Sequence, residues 1–340
     1  MAWAGATREI VVYKSLSNDV FTNLAFEDWV FKNLNLSHAR ILFFWRNTSC
    51  VVIGRHQNPW KEANLHLLRN RGMTLVRRKS GGGAVYHDLG NTNCTIFSSR
   101  QDYNRKRNLQ LICDAVNQKW KVNLQRNKKD DIICKDKWKV SGSSAKLLKD
   151  LACHHFTLLL NVNLQNLRQL LTSSSEACIR ESRATASTPS DVINLCNIEP
   201  SMNYNDVCSV IAEKFYDVHQ VDLNRWVIDI DPLTLPGVMD IKKELQEWNW
   251  IYGKTPKFTV QNTKRFSFGD AHLSMEIQQG IIKNVKLDIS WRSDDLPAIC
   301  KAMEGTRFWH TDINIAMKAS IFTTDKKLEY VRDWIQNLCV

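Results

Sequence analysis

The chain has 340 residues, a formal net charge of +11 and 44% apolar residues, which makes it a globular protein long enough for two domains. No apolar run approaches the roughly 18 residues of a spanning helix, and residues 1–5 lead straight into a strand-like run at Glu9. No membrane partner, signal segment or transit segment is therefore expected, any targeting sequence having been removed or never present. The ten cysteines form no Cys-x-x-Cys pair and stand in apolar settings such as Cys50-Val51-Val52 and Leu338-Cys339-Val340, so we expect reduced core thiols and no metal site.

Glu9 to Tyr13 predicts a strand, and Ser17, Asn18 and Asp19 offer an N-cap to a helix with Val20, Leu24, Phe31 and Leu34 on one face. Glu27 falls on that apolar face, which calls either for a cationic partner, an arginine of the glycine-rich site below, or for a partly exposed edge position. Ile41 to Trp45 and Cys50 to Ile53 are β-rich runs separated by four polar residues, which predicts a hairpin. A helical stretch from Glu62 to Asn70 precedes Leu75-Val76, the strand feeding the triplet Gly81-Gly82-Gly83, and Cys94 to Phe97 continues the sheet. Leu109, Ile112, Val116 and Trp120 form the next helical stripe.

Asp131 to Ile133 and Trp138 to Val140 bracket a charged bend, and Ser141 to Ala145 predicts a second small-residue loop. His154 and His155 should point to opposite faces of one strand, so that one packs structurally and the other can reach a site. Thr172 to Ser190 predicts an exposed, mobile connection, and Asp229 to Asp240, with Pro232 and Pro236, is the most linker-like segment. Beyond it, period two at Leu273, Met275, Ile277 and again at Val285, Leu287, Ile289 predicts a hairpin. Helices near Leu296 to Met303 and Leu328 to Leu338 complete a small α+β domain.

The chemistry concentrates between Arg77 and Asn91. Three glycines let a ligand lie against bare backbone, three cations precede them, and His87, Asp88 and Asn91 follow. A dinucleotide fingerprint fails at its sixth position, where Tyr86 stands, and the Gly-Lys-Ser/Thr of a Walker loop is absent. Ser143-Ser144-Ala145-Lys146 spells Ser-x-x-Lys, but Ser190-Asp191-Val192 and Lys254-Thr255-Pro256 are not its partner motifs. Two small-residue loops with flanking cations fit charge stabilisation better, with Lys139 placed to neutralise a phosphate and the oxygen of a reacting carbonyl. The basic balance implies an acidic partner; without an aromatic platform or recognition-helix spelling, nucleic acid is not expected.

These residues resemble the lipoate-protein ligase and lipoyltransferase family. The resemblance rests on Ile41 to Asn47, Val51 to Arg55, Gln57 to Glu62, Arg78 with Ser80 to Asn91, Lys139 to Ser143, and His154-His155 with Thr157 to Leu159. It implies an α+β chain: residues 1–250 as a catalytic domain of biotin/lipoate ligase type, a mixed sheet flanked by helices and related to class II synthetases, and residues 251–340 as a small accessory domain. It also implies lipoyl-AMP as substrate, no permanently bound cofactor, Mg with ATP only if activation of free lipoate is retained, and transfer to lysines of E2 lipoyl domains and of glycine-cleavage H protein. Catalysis falls to Lys139 at the mixed anhydride. Substrate binding falls to Arg78, Gly81, Gly82, Gly83, Ala84, Val85, Tyr86, His87 and Asn91, together with Asp131, Gly142, Ser143, Ala145 and His155. Phe156 stands where bacterial ligases often have glycine, and the Asp131 to Lys139 segment is shorter than theirs; both point to loss of the ATP step. A monomer in the mitochondrial matrix completes the expectation.

Overall fold

The computed structural model describes residues 9–173, 176–221, 227–291, 293–320 and 326–338. Strand β1 (Glu9–Ser15) leads to helix α1 (Val20–Asn33), where the Asp19 carboxylate accepts the Thr22 amide as predicted for an N-cap. β2 (Ala39–Trp45) lies parallel to β1, but β3 (Cys50–Ile53) departs for a different sheet. The expected hairpin does not form, because its turn is a buried polar corner. Asn47 is fully buried, accepts from Asn23 Nδ2 at 2.9 Å and reaches His87.

Helices α2 (Pro59–Glu62) and α3 (Leu65–Asn70) precede β4 (Thr74–Arg77) and β5 (Val85–His87), which flank β3, one parallel and one antiparallel. The glycine triplet therefore crosses the end of a three-stranded sheet. β6 (Asn91–Ser99) returns to β2. Helix α4 (Arg105–Lys119) buries the predicted stripe, and a meander of β7 (Leu124–Arg126), β8 (Ile132–Cys134) and β9 (Trp138–Lys139) presents Lys139. Ser141 to Ala145 is only in part the loop expected. Ser143–Leu147 forms β10, an edge strand on β11 (Leu151–Leu159), with the Ser144 hydroxyl donating to the Gly81 carbonyl.

After α5 (Leu164–Leu170), the segment expected to be an open connection contributes β12 (Ile179–Arg180) to a separate four-stranded sheet. Helix α6 (Tyr204–Val218) follows, and β13 (Ile228–Ile230) then docks parallel to β1, completing a six-stranded sheet in the order β10-β11-β6-β2-β1-β13. The expected linker is thus sheet edge and the start of helix α7 (Val238–Gln246). Lys242 pairs with Asp19 at 2.9 Å, and the Trp29 indole donates to the Pro236 carbonyl, so this segment is pinned to α1.

Helix α8 (Trp248–Ile251) leads into β14 (Phe258–Phe266), β15 (Gly269–Gln278) and β16 (Ile281–Ile289), antiparallel and period two as predicted, with β12 on the outer edge of β14. Helices α9 (Leu296–Met303), α10 (His310–Ser320) and α11 (Lys326–Leu338) follow. The architecture is α+β, with mixed sheets and flanking helices. Trp60 packs within 5.4, 5.5 and 5.3 Å of the Tyr252, Phe258 and Phe308 rings, so one apolar core runs from the main body into the four-stranded sheet. The described cysteines are all free and mostly buried; Cys339 lies outside the described residues. Among the described residues, no helix is long and apolar enough to cross a membrane.

Candidate active site

The end of β3 sets the geometry. A side chain at Gly54 would place its Cβ 2.1 Å from the Gly82 carbonyl oxygen, so only glycine lets this strand touch the loop. Gly82 itself has φ +87°, in the region L side chains rarely adopt. The three cations before the loop do not converge on a ligand. Arg77 is fully buried and donates to the carbonyls of Gly54, Arg55, Gln57 and Ile251. Lys79 turns to Asp28 at 2.8 Å and Glu244 at 3.1 Å. Arg78 alone grips the loop: Nη2 donates to Gly81 O at 2.6 Å and Gly83 O at 2.8 Å, and Nε to Ser80 Oγ at 3.0 Å. Burial lowers the Arg78 pKa to about 10, against the opposing pull of Glu27, so it stays cationic at neutral pH.

Behind Arg78 stands a chain of hydrogen bonds. Both Glu27 carboxylate oxygens lie 3.2 Å from His155 Nδ1, and Glu27 also accepts from Thr95 Oγ1. A carboxylate can only accept, so Nδ1 carries a ring proton, and Nε2 shares a hydrogen bond with Ser80 Oγ at 2.7 Å. The partner of Glu27 is therefore His155 and not the arginine expected, because Arg78 curls into its own loop while β11 carries His155 over α1. Ser80, 3% exposed and capped by Arg78, is not presented as a nucleophile. Glu27, Cys153 and His155 also bring potential ligand atoms within 4.8 Å of one another. Lys79 and Lys146 crowd the neighbouring Asp28, and burial pushes the Cys153 thiol well up, which makes a poor setting for a cation. His154 takes the opposite face, as the alternation predicts, against Asn108 and Phe156, and burial lowers its pKa to about 3.

Opposite the glycines, Lys139 Nζ pairs with Asp131 Oδ1 at 2.8 Å. Its backbone is fixed too: the amide donates to Asp191 O, and its carbonyl accepts from the Ile193 amide. Lys139 borders two cavities of about 320 Å³ each. The first is also lined by Leu24, Trp45, Val52 and the glycine loop, the second by Tyr86, Leu159, Leu167 and Leu171. They meet at Ala84, Val85, Gly142, Thr157 and Ser187. A cation at such a junction can stabilise charge on a group that spans both chambers.

The first cavity brings together Arg78, Gly82, Gly83, Ala84, Val85 and His87 with Asp131, Lys139, Gly142, Ser143 and His155. Four residues singled out in the sequence lie outside its lining. Gly81 accepts from Arg78 and Ser144, and a Cβ on it would meet nothing within 4 Å. Tyr86 faces the second cavity with its hydroxyl on Ser49. Asn91 is fully buried and donates to Asn93 Oδ1. Ala145 sits on β10 away from the cavity.

Sequence reasoning missed Leu24, Trp45, Val52 and Asn93 as cavity residues. Two asparagines two apart in a buried strand were the available signal for Asn93. It also missed Ser187, whose Oγ accepts from the Ala84 amide at 2.9 Å and from Gln57 Nε2 at 3.0 Å, clipping the glycine loop. Nothing in its Ser/Thr-rich surroundings distinguishes it.

The fold and this cavity define a group-transfer enzyme of ligase-like build. Residues 19–216 match the lipoyl protein ligase A/B catalytic domain, and residues 255–335 match the bacterial lipoate protein ligase C-terminus. The chain belongs to the lipoyl protein ligase A/B family and is a lipoyl ligase or transferase.

It is 43% identical to lipoyl amidotransferase LIPT1, mitochondrial, of Mus musculus, over 82% of this chain and 74% of that protein. It is 31% identical to lipoate-protein ligase A of Bdellovibrio bacteriovorus, over 91% of this chain and 96% of that one. P. falciparum LipL1, solved in complex with lipoate, aligns with a TM-score of 0.62 at 28% identity, covering 96% of this chain and 99% of that one. A lipoate-protein ligase A solved with ATP shares the fold, with a TM-score of 0.55 at 20% identity over 72% of this chain and 95% of that one.

Proposed function

We propose that this chain transfers the lipoyl group from lipoyl-AMP to a specific lysine of 2-oxo acid dehydrogenase E2 subunits and of glycine-cleavage H protein, with release of AMP. The position of Lys139 where the two cavities meet carries this reading. A bent acyl adenylate would place its lipoyl chain in the cavity walled by Leu24, Trp45 and Val52 and its nucleoside in the other, with the mixed anhydride at Lys139. The acceptor amine attacks the lipoyl carbonyl, a C–N bond forms, the C–O bond to phosphate breaks, and the amine loses its proton to solvent. Lys139, oriented by Asp131 at 2.8 Å, stabilises the oxyanion and the departing phosphate and is not itself acylated. Arg78, braced by Ser80, His155 and Glu27, holds the glycine loop in place.

Two features favour transfer alone over complete ATP-dependent ligation. Phe156 replaces the glycine common in bacterial ligases and is packed in the core at 2% exposure. The β8–β9 turn is short, with Lys135 and Asp136 both at positive φ. We assign the chain to the mitochondrial matrix on its likeness to the mitochondrial amidotransferases, as a monomer with its catalytic part in 1–250 and an accessory part in 251–340. Mass spectrometry of an apo lipoyl domain, incubated separately with lipoyl-AMP, with lipoate plus Mg-ATP, and with a lipoylated donor protein, tests the proposal. Transfer from lipoyl-AMP with no product from Mg-ATP supports it; equal rates from both make the chain a complete ligase.

A further inference from the structure

Lys139, Asp131 and the glycine loop account for one wall of the first cavity. The other, built from Leu24, Trp45 and Val52, holds two polar side chains to which the chemistry above gives no task. His87 is 3% exposed and Asn93 2%, and both line the cavity. His87 Nε2 and Asn93 Nδ2 are buried atoms without a hydrogen-bond partner among the described residues. Strand register sets Asn93 between Trp45 on β2 and Thr157 on β11, and the His87 ring stands edge-on to Trp45 at 5.9 Å. The two groups therefore share the Trp45 end of the cavity.

A chain of hydrogen bonds fixes His87 as a donor, and the Asn91–Asn93 pair as it stands leaves Asn93 a donor. Ser15 Oγ donates to Asn23 Oδ1 at 2.6 Å, and Asn23 Nδ2 donates to Asn47 Oδ1 at 2.9 Å, which leaves Asn47 Nδ2 to donate to His87 Nδ1 at 3.0 Å. With Nδ1 accepting, the ring proton is on Nε2. Burial, with Arg78 and His155 adding to it, lowers the His87 pKa to about 3, so the ring stays neutral in this tautomer. Asn93 Oδ1 accepts from Asn91 Nδ2 at 2.9 Å, which leaves its own amide nitrogen unpaired.

We infer that His87 Nε2–H and Asn93 Nδ2–H read a sulfur-bearing acyl ring, donating to the dithiolane sulfurs of the lipoyl group and selecting it over a saturated chain. This rests on the lipoyl-transfer reading above. Sulfur is a weak acceptor, but the relevant alternative is no acceptor at all. A saturated chain seated here expels water and leaves two buried donors unpaired, the situation from which strong discrimination arises. A dithiolane gives those donors acceptors while keeping polarisable, apolar surface against Trp45.

The test offers lipoyl-AMP, octanoyl-AMP and 5-cyclopentylpentanoyl-AMP, the last with both sulfurs replaced by methylenes, to wild-type enzyme with an apo lipoyl domain. Wild type should prefer lipoyl-AMP over the cyclopentyl analogue and octanoyl-AMP by about tenfold in kcat/KM. Asn93→Leu and His87→Phe should each bring that ratio toward one, whatever happens to the absolute rates. Equal wild-type rates for the lipoyl and cyclopentyl adenylates overturn the inference without any variant, and so does a ratio unmoved by both substitutions. Failure of wild type to transfer any acyl group overturns the lipoyl-transfer reading and this inference with it.

Discussion

Lys139 and Glu27 exert their effects in different ways, and substitutions separate them. Lys139 is partly exposed and pairs with Asp131. Lys139→Ala should lower transfer by about 10²–10³ with little change in melting temperature; an equal collapse of both would make it structural. Glu27 is buried and holds His155 and Thr95, so Glu27→Gln mispairs a buried donor and should cost about 1–3 kcal/mol in urea unfolding, with weaker lipoyl-AMP binding. Asp28 adds a pH dependence. Burial alone would raise its pKa, but hydrogen bonds from Lys146 and Lys79 outweigh that and hold it at about 2. The folded value lies below the unfolded one, so its stabilisation is complete above about pH 4 and fades as pH falls toward 2. Lys146→Met should move the acid-unfolding midpoint upward, measured by circular dichroism across pH.

Glycine spelling and alternation were readable from elements alone; sheet membership was not. His154 and His155 do take opposite faces of β11, because period two follows from strand geometry. The hairpin across residues 46–49 failed because local patterns do not reveal that Asn47 is a buried crossing between two sheets. The linker expected at 229–240 failed for a related reason: β13 gains its stability from β1, more than two hundred residues earlier. Within the glycine triplet the sequence treats three positions alike, whereas the structure ranks them. Gly81→Ala should leave transfer within about twofold, since nothing stands within 4 Å of its absent side chain. Gly54→Ala, outside the triplet, should cost more than about tenfold, because it pushes the Gly82 carbonyl and the loop with it. Steady-state rates on both variants decide the ranking.

The molecule as a whole is tied together at Trp60 and Arg77. Trp60 is 1% exposed and packs against the rings of Tyr252, Phe258 and Phe308, all of them beyond residue 251. Arg77 joins the strand that feeds the glycines to Ile251 and Thr255. Trp60→Ala should remove about 3–5 kcal/mol and split a single denaturation transition into two if the four-stranded sheet loses its anchor; differential scanning calorimetry reads this directly.

The chain between β12 and Asp191 leaves that sheet and crosses the cavity, where the Thr185 amide donates to His56 O, the Ser187 amide to Glu62, and Ser187 Oγ holds Ala84. These amides are native isotope-exchange reporters: deuterium uptake at Thr185 and Ser187 should slow when the site is loaded and recover on release, a timer for turnover that needs no label on the substrate.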